Sequence, residues 1–168
     1  MHSFNQYISQ PSLYLGRFQP PHLGHEKIIN KMNNSTRKII VVVKGEKSGL
    51  DKNRNPLEFE YQEKLLNTIV PEAEVYESKN AFIPSILEFL NIEEDLNVYA
   101  GVDRVPSYKD QLKRYEIPNV NLVSVRRNDD NISSTMVRKT IRNGNIESFK
   151  SMVPNSIYNE WETLQNKI

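Results

Sequence analysis

Short apolar runs alternate with segments of helical periodicity along this chain, a pattern typical of a parallel sheet flanked by helices. The apolar runs predict five strands, at residues 12–15, 38–43, 74–77, 97–100 and 120–125. The run at 38–43 is continuous and rich in β-branched residues, which indicates a strand buried on both faces. The pattern therefore predicts an α/β fold, a doubly wound five-stranded parallel sheet.

The segments between these runs predict helices, at residues 23–33, 57–69, 84–90, 106–115 and 133–142. The remainder, residues 146–168, is expected to form C-terminal helices broken at Pro154. A polar loop over residues 45–56 is longer than a connection in such folds usually needs. Because no repeat or linker interrupts the pattern, we expect residues 1–168 to form a single domain.

Composition excludes several classes of protein. The 22 basic and 21 acidic residues leave a net charge of +1, which argues against a nucleic-acid-binding protein. The absence of cysteine excludes disulfides and thiolate metal sites. Residues 1–10 lack the basic start and apolar run of a signal peptide, and no apolar stretch is long enough to cross a bilayer. We therefore expect a cytoplasmic protein with neither nucleic acid nor membrane as partner.

Polar residues suited to a phosphorylated ligand follow three of the predicted strands. Residues 16–25 read GRFQPPHLGH, residues 101–104 read GVDR, and residues 132–138 read ISSTMVR. Ligands of open parallel sheets bind beyond the carboxyl ends of the strands, where the strand order reverses. The arginines, histidines and hydroxyls of these segments are therefore predicted to share one site.

Each of these residue types has a physical reason to be there. His22 and His25 are three residues apart at a predicted helix N-terminus, so they face the same side, and helix N-termini favour anions. Gly24 removes a side chain that would obstruct a nucleotide approaching the backbone. The serines of residues 132–138 can cap a helix, and Arg138 lies one turn further, where its guanidinium can bind the same phosphate.

Residues 16–25 resemble the GRFQPxHxGH signature of nicotinamide mononucleotide adenylyltransferases, within the HxGH nucleotidyltransferase superfamily. Residues 132–138 resemble its second signature, ISSTxxR, and residues 101–103 its Gly-x-Asp element. The resemblance covers residues 12–145. It implies a Rossmann-like nucleotidyltransferase fold and the transfer of AMP from ATP to nicotinamide mononucleotide, giving NAD and pyrophosphate.

The resemblance also implies roles for individual residues. His22 would contact the β- and γ-phosphates, His25 the α-phosphate, and Arg17 and Arg138 would neutralise the polyphosphate; these four form the expected catalytic set. The expected nucleotide-binding residues are Gly16, Phe18, Gln19, Gly24, Gly101, Asp103, Ser133, Ser134 and Thr135. Mg²⁺ would arrive with the triphosphate rather than bind to a protein metal site.

The acceptor site departs from the family pattern. These enzymes commonly carry a Gly-Ser run after the second strand, whereas residues 44–49 read KGEKSG. The basic character of this loop suits a phosphorylated acceptor, and the candidate acceptor-binding residues are Lys44, Lys52, Arg54 and Asn55. Phosphopantetheine, another small phosphate or cytidylyl transfer stay open as alternatives, although the RTEGISTT signature of cytidylyltransferases is absent. A non-catalytic nucleotide sensor also stays open.

Simpler interpretations exist for each segment alone. A His-x-x-His pair can bind zinc, although only His2 remains as a further histidine and carboxylates would have to complete the shell. Residues 133–135 can merely cap a helix, residues 126–127 can be solvated charge, and Asp103 with Arg104 can be a surface ion pair. None of these explains why the groups follow three strand ends. The resemblance further allows for a homo-oligomer, since relatives often form symmetric assemblies.

Overall fold

A computed structural model describes residues 10–32, 35–45, 50–126 and 131–168 of the chain. Its strands are β1 (Ser12–Gly16), β2 (Lys38–Val43), β3 (Glu74–Ser78), β4 (Leu96–Gly101) and β5 (Val120–Val125). They form one sheet in the order β3-β2-β1-β4-β5, and every neighbouring pair is parallel. Strands β2 and β3 follow in order on one side of β1, and β4 and β5 follow in order on its other side. The strand order therefore reverses between β1 and β4.

The helices are α1 (Leu23–Lys31), α2 (Phe59–Ile69), α3 (Ile83–Leu90), α4 (Val105–Arg114), α5 (Ser134–Arg142), α6 (Ile146–Met152), a 3₁₀ helix (Asn155–Glu160) and α7 (Trp161–Lys167). The predicted five-stranded doubly wound fold with C-terminal helices is therefore confirmed. The predicted break at Pro154 falls between α6 and the 3₁₀ helix. None of the helices in the described part of the chain has the length and apolar character needed to cross a membrane.

Side chains of the central strands alternate between the two faces of the sheet, as the period of a strand requires. Ile39 and Val41 of β2 pack on the face covered by α3 and α4. Ile40 and Val42 pack on the opposite face, against α1 and α2. This alternation explains why β2 is apolar throughout, as the sequence predicted. The C-terminal helices form a further apolar cluster with α2 and α5.

The start of α2 differs from the prediction for a reason that affects the site. The helix begins at Phe59 rather than at Leu57. The Leu57 amide donates to Gln19 Oε1 at 2.9 Å, and Gln19 Nε2 donates to the Leu57 carbonyl at 3.0 Å. Leu57 thus pairs with the loop after β1 instead of joining the helix.

Candidate functional site

A cavity of about 1110 Å³ opens at the carboxyl ends of β1 and β4, where the strand order reverses. We call it the main cavity. The predicted residues that line it are Gly16, Arg17, Gln19, His22, His25, Arg54, Gly101, Ser133, Ser134, Thr135 and Arg138. The segments after the first, fourth and fifth strands therefore do meet at one site, which is the arrangement expected for a ligand of a doubly wound sheet.

The two imidazoles stack at the start of α1 and are oriented by backbone hydrogen bonds. Their ring centroids lie 3.8 Å apart. His22 is the N-cap residue, and its Nδ1 accepts from the Gly24 amide at 3.0 Å, while His25 Nδ1 accepts from the His22 amide at 3.1 Å. Because each Nδ1 acts as an acceptor, a neutral ring carries its proton on Nε2. Both rings can thus present an N–H donor from a helix N-terminus, an environment that favours anions.

Gly24 makes room for His22, which differs from the reason predicted for it. A Cβ at this position would lie 2.8 Å from His22 Cε1. The missing side chain therefore permits the capping geometry of the imidazole rather than simply clearing a path for a nucleotide. The same Cβ would lie 4.0 Å from the Ile132 carbonyl, so the 132–138 segment runs directly beside α1.

Phe18 lies in the core and is absent from the lining of the main cavity. Its ring is completely buried, 5.4 Å from that of Tyr14 and 4.7 Å from that of His25. A Cβ at Gly16 would come within 2.7 Å of the Phe18 ring, so glycine is required there by close approach. Phe18 was predicted to bind the nucleotide, but its buried position does not match that prediction. Its ring packs instead against the ring of His25.

Two hydrogen bonds join the segments that are far apart in sequence. Arg138 Nη1 donates to the Gln19 carbonyl at 2.8 Å, across 119 residues. Ser134 Oγ donates to the Pro20 carbonyl at 3.0 Å. The start of α5 is thus held against the loop that precedes α1, and Arg138 is fixed with its guanidinium at the cavity wall.

Arg138 shares the main cavity with other arginines, among them Arg17, Arg54 and Arg142. The side chain is 6 % exposed, and its Nε has no hydrogen-bond partner among the described residues. Burial lowers the pKa of the guanidinium, and the positive charges of Arg142, Arg54 and Arg17 lower it further, against a partial opposing effect of Asp51. A bound polyanion would relieve this repulsion, since opposite charge favours the charged form.

The predicted hydroxyl ligands have different tasks at the start of α5. Ser133 is the N-cap, and its Oγ accepts from the Met136 amide at 3.2 Å, which leaves its own proton able to donate. Thr135 Oγ1 accepts from Arg138 Nη2 at 3.3 Å. The Ser134 proton is directed at Pro20, so this hydroxyl joins the two segments. The capping interpretation of this segment and its place in the cavity are therefore both correct.

The predicted acceptor-binding residues divide between two cavities. Arg54 lines the main cavity. Lys44, Lys52 and Asn55 line a neighbouring cavity of about 990 Å³, which shares Gly45, Asn53, Lys79 and Arg142 with the main one. Lys44 Nζ donates to the Leu57 carbonyl at 3.1 Å and to Gln62 Oε1 at 2.7 Å. Its amine is thus engaged inside the protein.

The segment after β4 contributes Gly101 but not Asp103 to the lining of the main cavity. Asp103 is largely exposed and forms a 4.0 Å ion pair with Arg104. This is the geometry expected of a surface ion pair. Arg104 itself lines the cavity, together with Tyr108 and Phe82. Arg127, part of the predicted charged turn after β5, lies outside the described residues.

Among the residues that sequence reasoning missed, two make polar contacts that bear on the site. Arg142 lines both cavities and donates from Nη2 to the Asn53 carbonyl at 3.3 Å. Its spacing of four from Arg138 is a signal that helical periodicity could have revealed. Gln62, completely buried in α2, contacts the backbone of the loop after β1. Helical spacing places Gln62 on the same face as Leu65 and Leu66, which is a signal for its burial but not for its partners.

Comparisons with known proteins agree with this geometry. No curated protein matches the sequence significantly. Among solved structures, a candidate nicotinate-nucleotide adenylyltransferase from Vibrio parahaemolyticus superposes with a TM-score of 0.65 at 16% identity, over 92% of this chain and 99% of that one. The nicotinic acid mononucleotide adenylyltransferase of Plasmodium falciparum superposes with a TM-score of 0.61 at 15% identity, over 95% and 98% of the two chains.

A third solved structure is Thermotoga maritima TmcAL bound to alpha-thio ATP, with a TM-score of 0.65 at 10% identity. It matches 94% of this chain and 56% of its own. At these identities the likeness concerns the fold. The sequence profile of the Cytidylyltransferase-like family matches residues 13–140, which include the histidine pair, Arg138 and every residue of the sheet except Ser12. This protein therefore belongs to the Cytidylyltransferase-like family, with the fold of the nucleotidyltransferases.

Proposed function

We propose that this protein transfers AMP from ATP to nicotinamide mononucleotide, forming NAD and releasing pyrophosphate. The observation that carries the proposal is the meeting of residues 16–25 and 132–138 in one cavity, joined by the hydrogen bonds of Arg138 and Ser134. Membership of the family supports nucleotidyl transfer in general. The choice of adenylyl transfer to a pyridine nucleotide rests on the GRFQP and ISSTxxR motifs.

The reaction would proceed by in-line displacement. An oxygen of the acceptor phosphate attacks the α-phosphorus, the bond from that phosphorus to the bridging oxygen of the β-phosphate breaks, and pyrophosphate leaves with the electron pair. A phosphate monoester is already ionised near neutral pH, so no protein base has to remove a proton. Catalysis then depends on positioning and on donors directed at developing charge.

The residues at the cavity are suited to that task. We assign His25 to the α-phosphate and His22 to the β- and γ-phosphates, each donating from Nε2 because its Nδ1 accepts a backbone amide. Arg17 and Arg138 would neutralise the polyphosphate, and the first-turn amides of α5 would add donors, since helix N-termini present unpaired N–H groups.

Mg²⁺ is proposed to enter with the triphosphate. Within the described residues, no three His, Cys, Asp or Glu side chains come together to hold a metal ion. An ion at this site would therefore be held mainly by phosphate oxygens and water, as Mg²⁺ often is. When bound, it would offset charge on the triphosphate.

Several phosphorylated compounds compete with nicotinamide mononucleotide as the acceptor. Two of the solved structures with this fold are named for nicotinate nucleotides, so nicotinic acid mononucleotide is the nearest competing acceptor. Phosphopantetheine and CTP-dependent transfer are further alternatives within the fold. The cytoplasmic location and a homo-oligomeric state stay predictions.

The test is to incubate the protein with ATP or CTP and each acceptor, measuring pyrophosphate release and identifying the product by mass. We expect NAD from ATP and nicotinamide mononucleotide. His25→Ala should lose about 10²–10³-fold in kcat, the usual loss for one donor to developing charge, with an unchanged circular dichroism spectrum. A product only from another acceptor would overturn the assigned substrate. Tight ATP binding without any turnover would favour the sensor, and a fully active His25→Ala variant would remove His25 from the mechanism.

A further inference from the structure

A buried glutamine lies beneath the turn that carries Arg17. Gln62 of α2 is completely buried. Its Nε2 donates to the Arg17 carbonyl at 2.6 Å and to the Phe18 carbonyl at 2.8 Å. The side-chain amide of Gln62 therefore binds two successive backbone carbonyls, although Gln62 is 44 residues away from Phe18 in the sequence.

This turn needs such support because its backbone is strained. Phe18 has a φ of 50°, in the left-handed region that residues with a Cβ rarely adopt. Conformations of this kind persist where the surrounding structure holds them. The buried Phe18 ring holds the turn on one side, and the two hydrogen bonds from Gln62 hold its carbonyls.

Lys44 fixes the orientation of the Gln62 amide. Its Nζ donates to Gln62 Oε1 at 2.7 Å, so the NH₂ group of Gln62 has to face the two carbonyls. The same Nζ donates to the Leu57 carbonyl, which also accepts from Gln19 Nε2. Lys44, Gln62 and Gln19 thereby connect the end of β2 and the start of α2 to the turn after β1.

The connection continues to Arg138. The residue after the strained turn is Gln19, whose carbonyl accepts from Arg138 Nη1 at 2.8 Å. A shift of the turn would therefore move Arg17 directly and Arg138 through this carbonyl. Gln62 lines neither cavity, so an effect of Gln62 on the reaction has to pass through the turn that it holds. Lys44 lines the neighbouring cavity but not the main one, and its contact with Gln62 gives it the same route to the two arginines.

We propose that Gln62 and Lys44 are positioning residues that hold the two phosphate-binding arginines in register, an inference that rests on the proposed nucleotidyl transfer. This role of Lys44 is separate from the acceptor contact that the sequence suggested, which stays a prediction. The proposal predicts that removing Gln62 impairs the phosphate site more than it impairs the fold.

The test compares Gln62→Met, Lys44→Met and the double variant with Leu87→Ala as control. Leu87 is buried in α3 on the opposite face of the sheet, so its truncation lowers stability without contacting the turn. We expect Gln62→Met to lower kcat about 10²-fold, the loss typical of a misplacement near 1 Å. Its affinity for inorganic pyrophosphate, measured by calorimetry, should fall about tenfold, whereas Leu87→Ala should lower Tm alone.

A double-mutant cycle separates positioning from general destabilisation. Since Lys44 acts largely through Gln62, the double variant should lose little more kcat than Gln62→Met, whereas independent effects would add. The proposal is overturned if Gln62→Met keeps kcat and pyrophosphate affinity within about twofold of the unaltered protein. If Gln62→Met does not fold, the test rests on Lys44→Met alone. An unchanged pyrophosphate affinity in Lys44→Met would then reject the inference. Absence of turnover in the unaltered protein would reject the proposed function, while the pyrophosphate titrations would still test the positioning.

Discussion

His22 combines two functions at the start of α1. Its Nδ1 caps the helix by accepting the Gly24 amide, and its ring stacks on His25 at the wall of the main cavity. Capping thus fixes the orientation of the ring. The space for this geometry comes from Gly24, where an added Cβ would lie 2.8 Å from His22 Cε1.

Gly24→Ala should therefore separate helix stability from activity. Alanine is a better helix former than glycine by about 1 kcal/mol, but its methyl group would displace the His22 ring. We expect the rate of nucleotidyl transfer to fall by at least about tenfold while Tm changes little. Unimpaired turnover in this variant would show that the His22 geometry is not required.

The C-terminal helices are attached to the site through α2. Tyr61 and Lys64 of α2 bind the carboxylate of Glu160 at 2.8 Å and 2.9 Å, and α5 packs on the same apolar cluster. The hydrogen bond from Lys64, and then that from Tyr61, lower the pKa of Glu160 despite the opposing effect of burial. This contact thus joins the C-terminal helices to α2.

The contribution of Glu160 should depend on pH. A carboxyl group whose pKa is lower in the folded state stabilises the fold above its unfolded pKa of about 4.3, and this contribution disappears as pH falls through the folded pKa. Glu160→Gln should lower Tm at neutral pH by roughly 2–4 °C, equivalent to about 1 kcal/mol or less because Lys64 is exposed. Thermal melts should show this difference shrinking below about pH 4. If the difference in Tm did not change with pH, the charge of Glu160 would not be its cause. Glu162→Gln, on the exposed side of α7, provides the control.

At the scale of the whole molecule, charge is distributed unevenly. The net charge is only +1, yet Arg17, Arg54 and Arg142 all raise the positive potential at Arg138. Binding of a polyanion should therefore stabilise the entire fold.

ATP should raise Tm through Arg138. A ligand at 100 times its Kd adds about 2.7 kcal/mol of stability, or roughly 5–10 °C for a domain of this size. Arg138→Met should lose most of that shift in a thermal melt. Arg114→Met should keep it, because Arg114 is an exposed residue at the far end of α4, paired with Asp110 at 3.2 Å. Equal shifts in both variants would exclude Arg138 from the nucleotide site.

The amino-acid sequence by itself determined the strands, the helices and the chemical character of the site. Hydrophobic periodicity is a local property, so all five strands were predicted within one or two residues of their ends. The residues after parallel strands must meet at one edge of the sheet, so the sequence also predicted that the histidine, arginine and serine segments share a cavity.

Only the tertiary structure decided which atoms of that site face the cavity. Phe18 lies in the core because its ring packs directly over Gly16. The Lys44 amine points into the protein, where it donates to the Leu57 carbonyl and to Gln62 Oε1. Gln62 and Gln19 have partners 44 and 38 residues away. Such contacts depend on how helices and loops pack against each other, and no repeating pattern along the chain encodes that packing.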